Sequence, residues 1–245
     1  MEPKTKLFLH MGPGFHSQIE SHLFGASVPE MKFWDQPKVN SFSELVSSAE
    51  EVFVNLKQEK VDLYGHSFGS QLALKLVKAF PNKIGKIVLL NSSVNPFNCF
   101  LNIGLKLNVL NQSEASKLKS ASSFGKMEAI FKIASAPEFN SVYWFSHDKQ
   151  KQIETTCFSK FPPIDLNVFA RVFKDFLEQV DPLSNPTPWP GQVQVIYSED
   201  DILLDYKSDL ATWSQLFPSV SFKSVKGVGH YAHLEDEAIS SLFFR

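Results

Sequence analysis

Short apolar runs alternate with amphipathic helical stretches along most of this chain, and that alternation restricts the fold more than any other feature. Residues 5–10, "TKLFLH", read as a buried strand that runs into "MGPG", a turn that neither helix nor strand can hold. "EMKFWDQP" (30–37) reads as a second strand closed by Pro37, and "VDLY" (61–64) as a third. "KIVLLNS" (86–92) is a fourth, apolar throughout as a strand covered on both faces should be. Phe42, Leu45, Val46, Ala49, Val52, Phe53 and Leu56 recur at spacings of three and four, which predicts a helix over 41–57 with Ser41 or Ser43 as N-cap. Leu72, Ala73, Leu76, Val77 and Phe80 predict another over 68–80, stopped by Pro81. The series resumes with "QVQVIYS" (192–198), a helix near 206–217, "VSFKSVK" (220–226) and a final helix from about 232 to 244. Strands alternating with helices imply an α/β fold, with a parallel sheet and right-handed crossovers.

Between 93 and 187 the rhythm breaks into helical stretches at 113–120, 124–135, 147–157 and 166–179. This segment carries Phe97, Phe100, Phe124, Phe131, Phe139, Phe145, Phe158, Phe161, Phe169, Phe173 and Phe176, along with Trp144. The expectation is a core of residues 1–92 and 188–245 interrupted by a helical insertion of 93–187. The proline-rich "DPLSNPTPWPG" (181–191) returns the chain to the sheet as an extended linker.

A length of 245 residues suits one α/β domain with an insertion. The net charge of −2, with no basic run, argues against a nucleic-acid partner. No stretch approaches the length a membrane span needs, and the apolar segment near the start is too short for a secretory signal, so a cytoplasmic protein is expected. Cys99 and Cys157 lie far apart without metal-ligand spacing; they suit free thiols in a reducing compartment, and a single bridge between them stays open.

One motif carries chemistry. In "DLYGHSFGSQLAL" (62–74), Ser67 stands between a strand and a helix, flanked by Gly65 and Gly69. That G-x-S-x-G pattern suits a sharp elbow in which a Cβ at either glycine would clash with the neighbouring strand or helix. A serine hydroxyl needs a neutral imidazole to take its proton, a carboxylate to orient the imidazole, and backbone N–H donors for the oxyanion. Each has a candidate on a loop after a predicted strand. Asp201, in "YSEDD", is the acid, because the chain needs a few residues to turn over the sheet edge; Asp200 is the fallback and Glu199 comes third. His230, in "GVGHYAHLE", is the base, with His233 the weaker candidate. The N–H groups of Gly12, in "HMGPG", and of Phe68 are the oxyanion donors. His66 is expected to pack inside the turn with its ring away from the Ser67 hydroxyl, and His10 to brace the glycine loop.

Nucleophile, acid and base in this order resemble the α/β-hydrolase superfamily, in its small cap-bearing serine-esterase-like branch, over almost the whole chain. In that resemblance "LFLHMGPG" is similar to the oxyanion loop, "YGHSFGS" to the nucleophile elbow, "YSEDD" to the acid loop and "GVGHYAHLE" to the histidine loop. It implies Ser67, Asp201 and His230 as the triad, Gly12 and Phe68 as oxyanion donors, no cofactor or metal, and residues 93–187 as a helical cap. The usual opening strands are missing, so the sheet should hold roughly six parallel strands in the order 4-3-5-6-7-8 by the family's numbering. Met11 replaces the glycine that usually follows the loop histidine, and Ser198 stands where glycine is common.

A serine nucleophile excludes the aspartate-dependent epoxide hydrolases and haloalkane dehalogenases. The leading expectation is a carboxylic-ester hydrolase acting on a largely apolar acyl or aryl small molecule through an acyl-enzyme. Most of the insertion's phenylalanines are expected to form its own core and its seam with the main domain, and a minority to line the pocket. Thioesterases, proline iminopeptidases and carbon–carbon bond hydrolases share the general pattern. So do pimeloyl-carrier-protein methyl ester esterases, the sole reason to name an acyl-carrier-type partner. The reading from another class is a non-catalytic ligand-binding protein on the same scaffold.

Overall fold

The computed structural model describes residues 5–179 and 188–244. Its frame is one sheet of β1 (Thr5–Leu9), β2 (Met31–Trp34), β3 (Val61–His66), β4 (Ile84–Leu90), β5 (Gln192–Ser198) and β6 (Val220–Val225). Every neighbouring pair is parallel. The spatial order is β2-β1-β3-β4-β5-β6, the one expected from the sequence.

Period-two alternation divides the buried side chains between the two faces. Leu7 and Leu9, Leu63, Ile87 and Leu89, and Val193 and Val195 enter one core. Phe8, Tyr64, Val88, Leu90 and Ile196 enter the other. The first core is covered by α2 (Phe42–Asn55) and α3 (Gly69–Ala79), following α1 (Gln18–Phe24) in chain order. The Ser41 hydroxyl caps α2 by accepting the Glu44 N–H, which selects Ser41 over Ser43. Edge strand β6 is exposed along Ser221, Phe222, Lys223 and Ser224.

Between β4 and β5 lie α4 (Pro96–Lys106), α5 (Gln112–Lys119), α6 (Ser123–Ala134), α7 (His147–Thr156) and α8 (Leu166–Glu178). Its phenylalanines divide. Phe97 and Phe173 are buried in the first core, and Phe100, Phe139, Phe169 and Phe176 pack on its margin. Phe124, Phe131 and Phe145 are exposed instead, at 63%, 47% and 55%, so the excess of phenylalanine is not all interior. The segment is tied to the rest of the fold at several points. Asp175 on α8 accepts the N–H groups of Phe42 and Ser43 at the start of α2, and the Asp165 N–H donates to the Gly14 carbonyl. Residues 181–187 of the expected linker lie outside the described residues.

The chain ends with α9 (Tyr206–Leu216), α10 (Ala232–Glu235) and α11 (Glu237–Phe244), so eleven α-helices are present among the described residues. The single final helix expected from the sequence is therefore two. Asp236 is extended at φ −137°, ψ 126°, and its carboxylate accepts the N–H groups of Ala238 and Ile239 to start α11 afresh. The third strand is also longer than expected. It continues through Gly65 and His66, which pair with Leu89 and Leu90, so His66 belongs to the strand and the turn begins at Ser67. Cys99 and Cys157 are both free thiols.

Asp209 on α9 accepts the Val94 N–H and the Ser93 hydroxyl on one oxygen, Oδ1, and so pins the chain where it leaves β4. Burial pushes its carboxyl up to about 6, against the lowering effect of those two bonds. The folded protein therefore holds a proton that the unfolded chain has lost, and its stability falls as pH rises from about 4 to about 6. Asp209→Asn keeps both bonds on its amide oxygen and does not ionise. It should match the wild type near pH 4 and exceed it by roughly 2 kcal/mol above pH 6.5, as read from urea unfolding across that range.

Candidate active site

Ser67 sits at φ +53°, the left-handed region that a side chain rarely adopts, between the last residue of β3 and the first turn of α3. Its own N–H donates to the Leu90 carbonyl of β4, and its carbonyl accepts the Ser70 hydroxyl, so the strained residue is held from both sides. Gly65 and Gly69 keep ordinary backbone angles and serve close approach. A Cβ at Gly69 would overlap the Leu9 carbonyl oxygen of β1, and one at Gly65 would meet Leu89 Cδ2 at 3.0 Å and the Gly69 backbone at 3.2 Å.

The elbow points the half-buried Ser67 hydroxyl at His230, whose Nε2 lies 2.8 Å from Ser67 Oγ. On the other side of the ring, Nδ1 lies 2.7 Å from Asp201 Oδ2. Asp201 and His230 are 4% and 1% exposed, so this pair is dry. The second carboxylate oxygen of Asp201 accepts the Leu203 N–H at 2.9 Å, which fixes the plane of the group. With Asp201 accepting, Nδ1 carries the proton and Nε2 is left to accept from the serine. Asp200 instead accepts the Gly227 N–H, and Glu199 pairs with Lys226, so neither reaches the imidazole.

Gly12 has φ +51° in the turn after β1, and Phe68 is the N-cap of α3. Among the described residues neither N–H donates a hydrogen bond. His10 braces the loop as expected: its Nδ1–H donates to the Met11 carbonyl and its Nε2 accepts the Gln36 N–H, an arrangement that only the neutral ring can make. Burial holds its pKa below the ordinary value. The Phe68 ring packs against Phe42, Phe173 and Phe176, so the residue beside the serine also anchors the aromatic seam with α8.

The histidine loop is supported by residues that no local pattern reveals. Asn91, at φ +42° just past β4, donates through Nδ2 to the carbonyls of both Gly229 and His230, and accepts the Ser198 N–H. His66 donates from Nε2 to the His230 carbonyl at 3.0 Å, and its ring lies behind that of His230. Burial first, and the nearby His233 and His230 second, hold His66 well below the ordinary imidazole range and hence neutral. His233, in α10, pairs with the buried Glu20 of α1 at 3.2 Å. Glu20, His66 and His233 form a trio whose potential ligand atoms lie within 4.8 Å of one another. His66 and His233 each spend Nε2 on a protein acceptor, while the buried Nδ1 atoms of both rings have no partner among the described residues. Burial pushes the Cys99 thiol well up, which leaves it a poor nucleophile.

The comparisons with known proteins agree with this frame. The sequence profile for the alpha/beta hydrolase fold matches residues 34–237. No curated protein matches the sequence. Among solved structures, a proline iminopeptidase-related protein from Thermus thermophilus is similar at a TM-score of 0.74 and 19% identity, covering 99% of this chain and 88% of that one. A marine microorganism esterase gives a TM-score of 0.63 at 13% identity, with 100% and 96% covered. The 2-hydroxy-6-oxo-6-phenylhexa-2,4-dienoate hydrolase of Rhodococcus sp. strain RHA1 gives 0.65 at 14%, with 98% and 89% covered. Among the described residues no helix is long and apolar enough to cross a membrane. With a matching profile over most of its length and a six-stranded parallel sheet in the expected order, the chain belongs to the alpha/beta hydrolase family of enzymes.

Proposed function

We propose that the protein is a serine hydrolase that cleaves a carboxylic ester, largely apolar in its acyl or aryl part, through an acyl-enzyme on Ser67. The observation that carries this reading is the unbroken chain from Ser67 Oγ through His230 to Asp201, with spacings of 2.8 and 2.7 Å. His230 Nε2 takes the serine proton as Oγ attacks the ester carbonyl, while Asp201 stabilises the imidazolium. The N–H groups of Phe68 and Gly12 hold the oxyanion. His230 then returns the proton to the departing alkoxide, and a water activated by the same nitrogen releases the acid. The helices α4 to α8 act as a cap over the site, and the buried rings of Phe42, Phe68 and Phe173, with Phe176, form its seam with the sheet layer next to the serine.

A fluorophosphonate should label the wild type, and Ser67→Ala should abolish both the labelling and p-nitrophenyl ester turnover. Labelling that survives Ser67→Ala would end this reading. A chain-length series of acyl esters and thioesters, run beside proline-arylamides, then assigns the substrate class. Tight binding of a small ligand with no turnover of any member would favour the non-catalytic alternative.

A further inference from the structure

The loop that carries the base is also held by a residue that the triad chemistry does not use. Glu235, the last residue of α10, is 8% exposed and points its carboxylate back under the histidine loop. Oε1 accepts the Gly229 N–H at 2.6 Å, and Oε2 accepts the N–H groups of Phe145 and Ser146 at 3.0 and 2.9 Å. Two of those donors belong to the segment between β4 and β5, and the third precedes His230 directly. The same junction is closed from the other direction, since the Tyr143 carbonyl accepts the N–H of His230 at 2.8 Å. A side chain at Gly229 is excluded because its Cβ would lie 2.6 Å from the Tyr143 oxygen and 2.7 Å from the Phe145 nitrogen. The Tyr143 ring meets the His230 ring edge-on, at 5.6 Å between centroids.

We infer that Glu235 is a positioning residue for His230, and that it works by locking residues 143–146 to the histidine loop so that the two are placed together. Its kinetic consequence rests on the serine-hydrolase reading above. A buried carboxylate with three backbone donors has no role in holding substrate, yet its loss leaves those N–H groups without an acceptor and frees both loops of the junction. Displacement of a base by an ångström costs turnover far more than binding.

The test uses Glu235→Ala, Glu235→Gln and Gly229→Ala in the full chain, with kcat normalised to the sites titrated by fluorophosphonate. Glu235→Ala should lower kcat by about a hundredfold with KM changed less than about threefold. Gln retains one accepting oxygen, enough for one side of the junction, and should recover part of that loss; Gly229→Ala should resemble Glu235→Ala. Amide exchange followed by mass spectrometry should rise in peptides covering 141–147 and 227–231 in the same variants. If Glu235→Ala does not fold, Glu235→Gln alone decides. Two readouts are independent of turnover: the amide exchange, and the low-field proton signal of His230 Nδ1, identified by its loss in His230→Ala, which should shift or broaden. A normalised kcat within twofold of the wild type, or faster exchange with an unmoved Nδ1 proton, would overturn the proposal. A wild type that takes no label would sink the serine-hydrolase reading instead, and the exchange and Nδ1 signals would still judge Glu235.

Discussion

Asp201→Asn is expected to lower ester turnover about ten-thousand-fold while leaving KM and thermal stability near the wild type. The size of the effect follows from which oxygen does what. Oδ1 of Asp201 already accepts the Leu203 N–H, and Oδ2 faces His230 Nδ1. Asparagine keeps its carbonyl on Leu203, because a buried N–H held against an amide nitrogen would lose its bond. Its NH2 therefore falls where Oδ2 was and becomes a donor to Nδ1. The imidazole must then carry its proton on Nε2, facing the serine, and that tautomer cannot accept the Ser67 proton. Steady-state kinetics on a p-nitrophenyl ester measure the loss, and a thermal scan confirms that the variant is folded. A drop of only about tenfold would mean that the carboxylate does not set the tautomer.

The largest effect on stability is expected at Gly69. An alanine methyl there would overlap the Leu9 carbonyl oxygen, a backbone atom of a central strand that cannot swing aside as a side-chain tip can. We expect Gly69→Ala to cost about 3 kcal/mol or more and to lower the melting temperature by roughly 10 °C. Gly65→Ala is the internal comparison. Its nearest neighbour is the end of the Leu89 side chain at 3.0 Å, with backbone atoms at 3.2 Å, so its loss should be smaller. Equal melting temperatures for the two variants would show that the approach of α3 to β1 is not what demands glycine.

The strands were legible because those covered on both faces are unbroken apolar runs, and "KIVLLNS" reads that way without any partner in view. The elbow was legible for a mechanical reason: a turn this tight admits few residue types, and two of its positions must be glycine. Other parts left no such trace. The first helix, "QIESHLF", has a buried glutamate where amphipathic spacing calls for an apolar residue, and among the described residues Glu20 pairs with His233, far along the chain. In α4 an internal Gly104 lets Leu110 and Ile133 pack closely, and although Asn98, Asn102 and Lys106 recur every four residues, the helix follows β4 directly and its period was passed over. Asn91 and Glu235 were missed in the same way. Each makes its contacts across 89 or more positions, except the one from Glu235 to Gly229, and neither type of residue is rare on loops. A local motif can announce the groups that react, but not the groups that hold their backbone.

Asp175 bears on how divisible this molecule is. Its carboxylate serves as an acceptor for the opening turn of α2, a helix of the sheet layer, while it resides on α8. Phe176 beside it faces Phe42 and Phe68. Excising the segment between β4 and β5 would thus strip α2 of a bond to its first turn and uncover the rings next to Ser67. The two parts thus share a carboxylate acceptor and an aromatic seam, and a graft in that place would have to replace both.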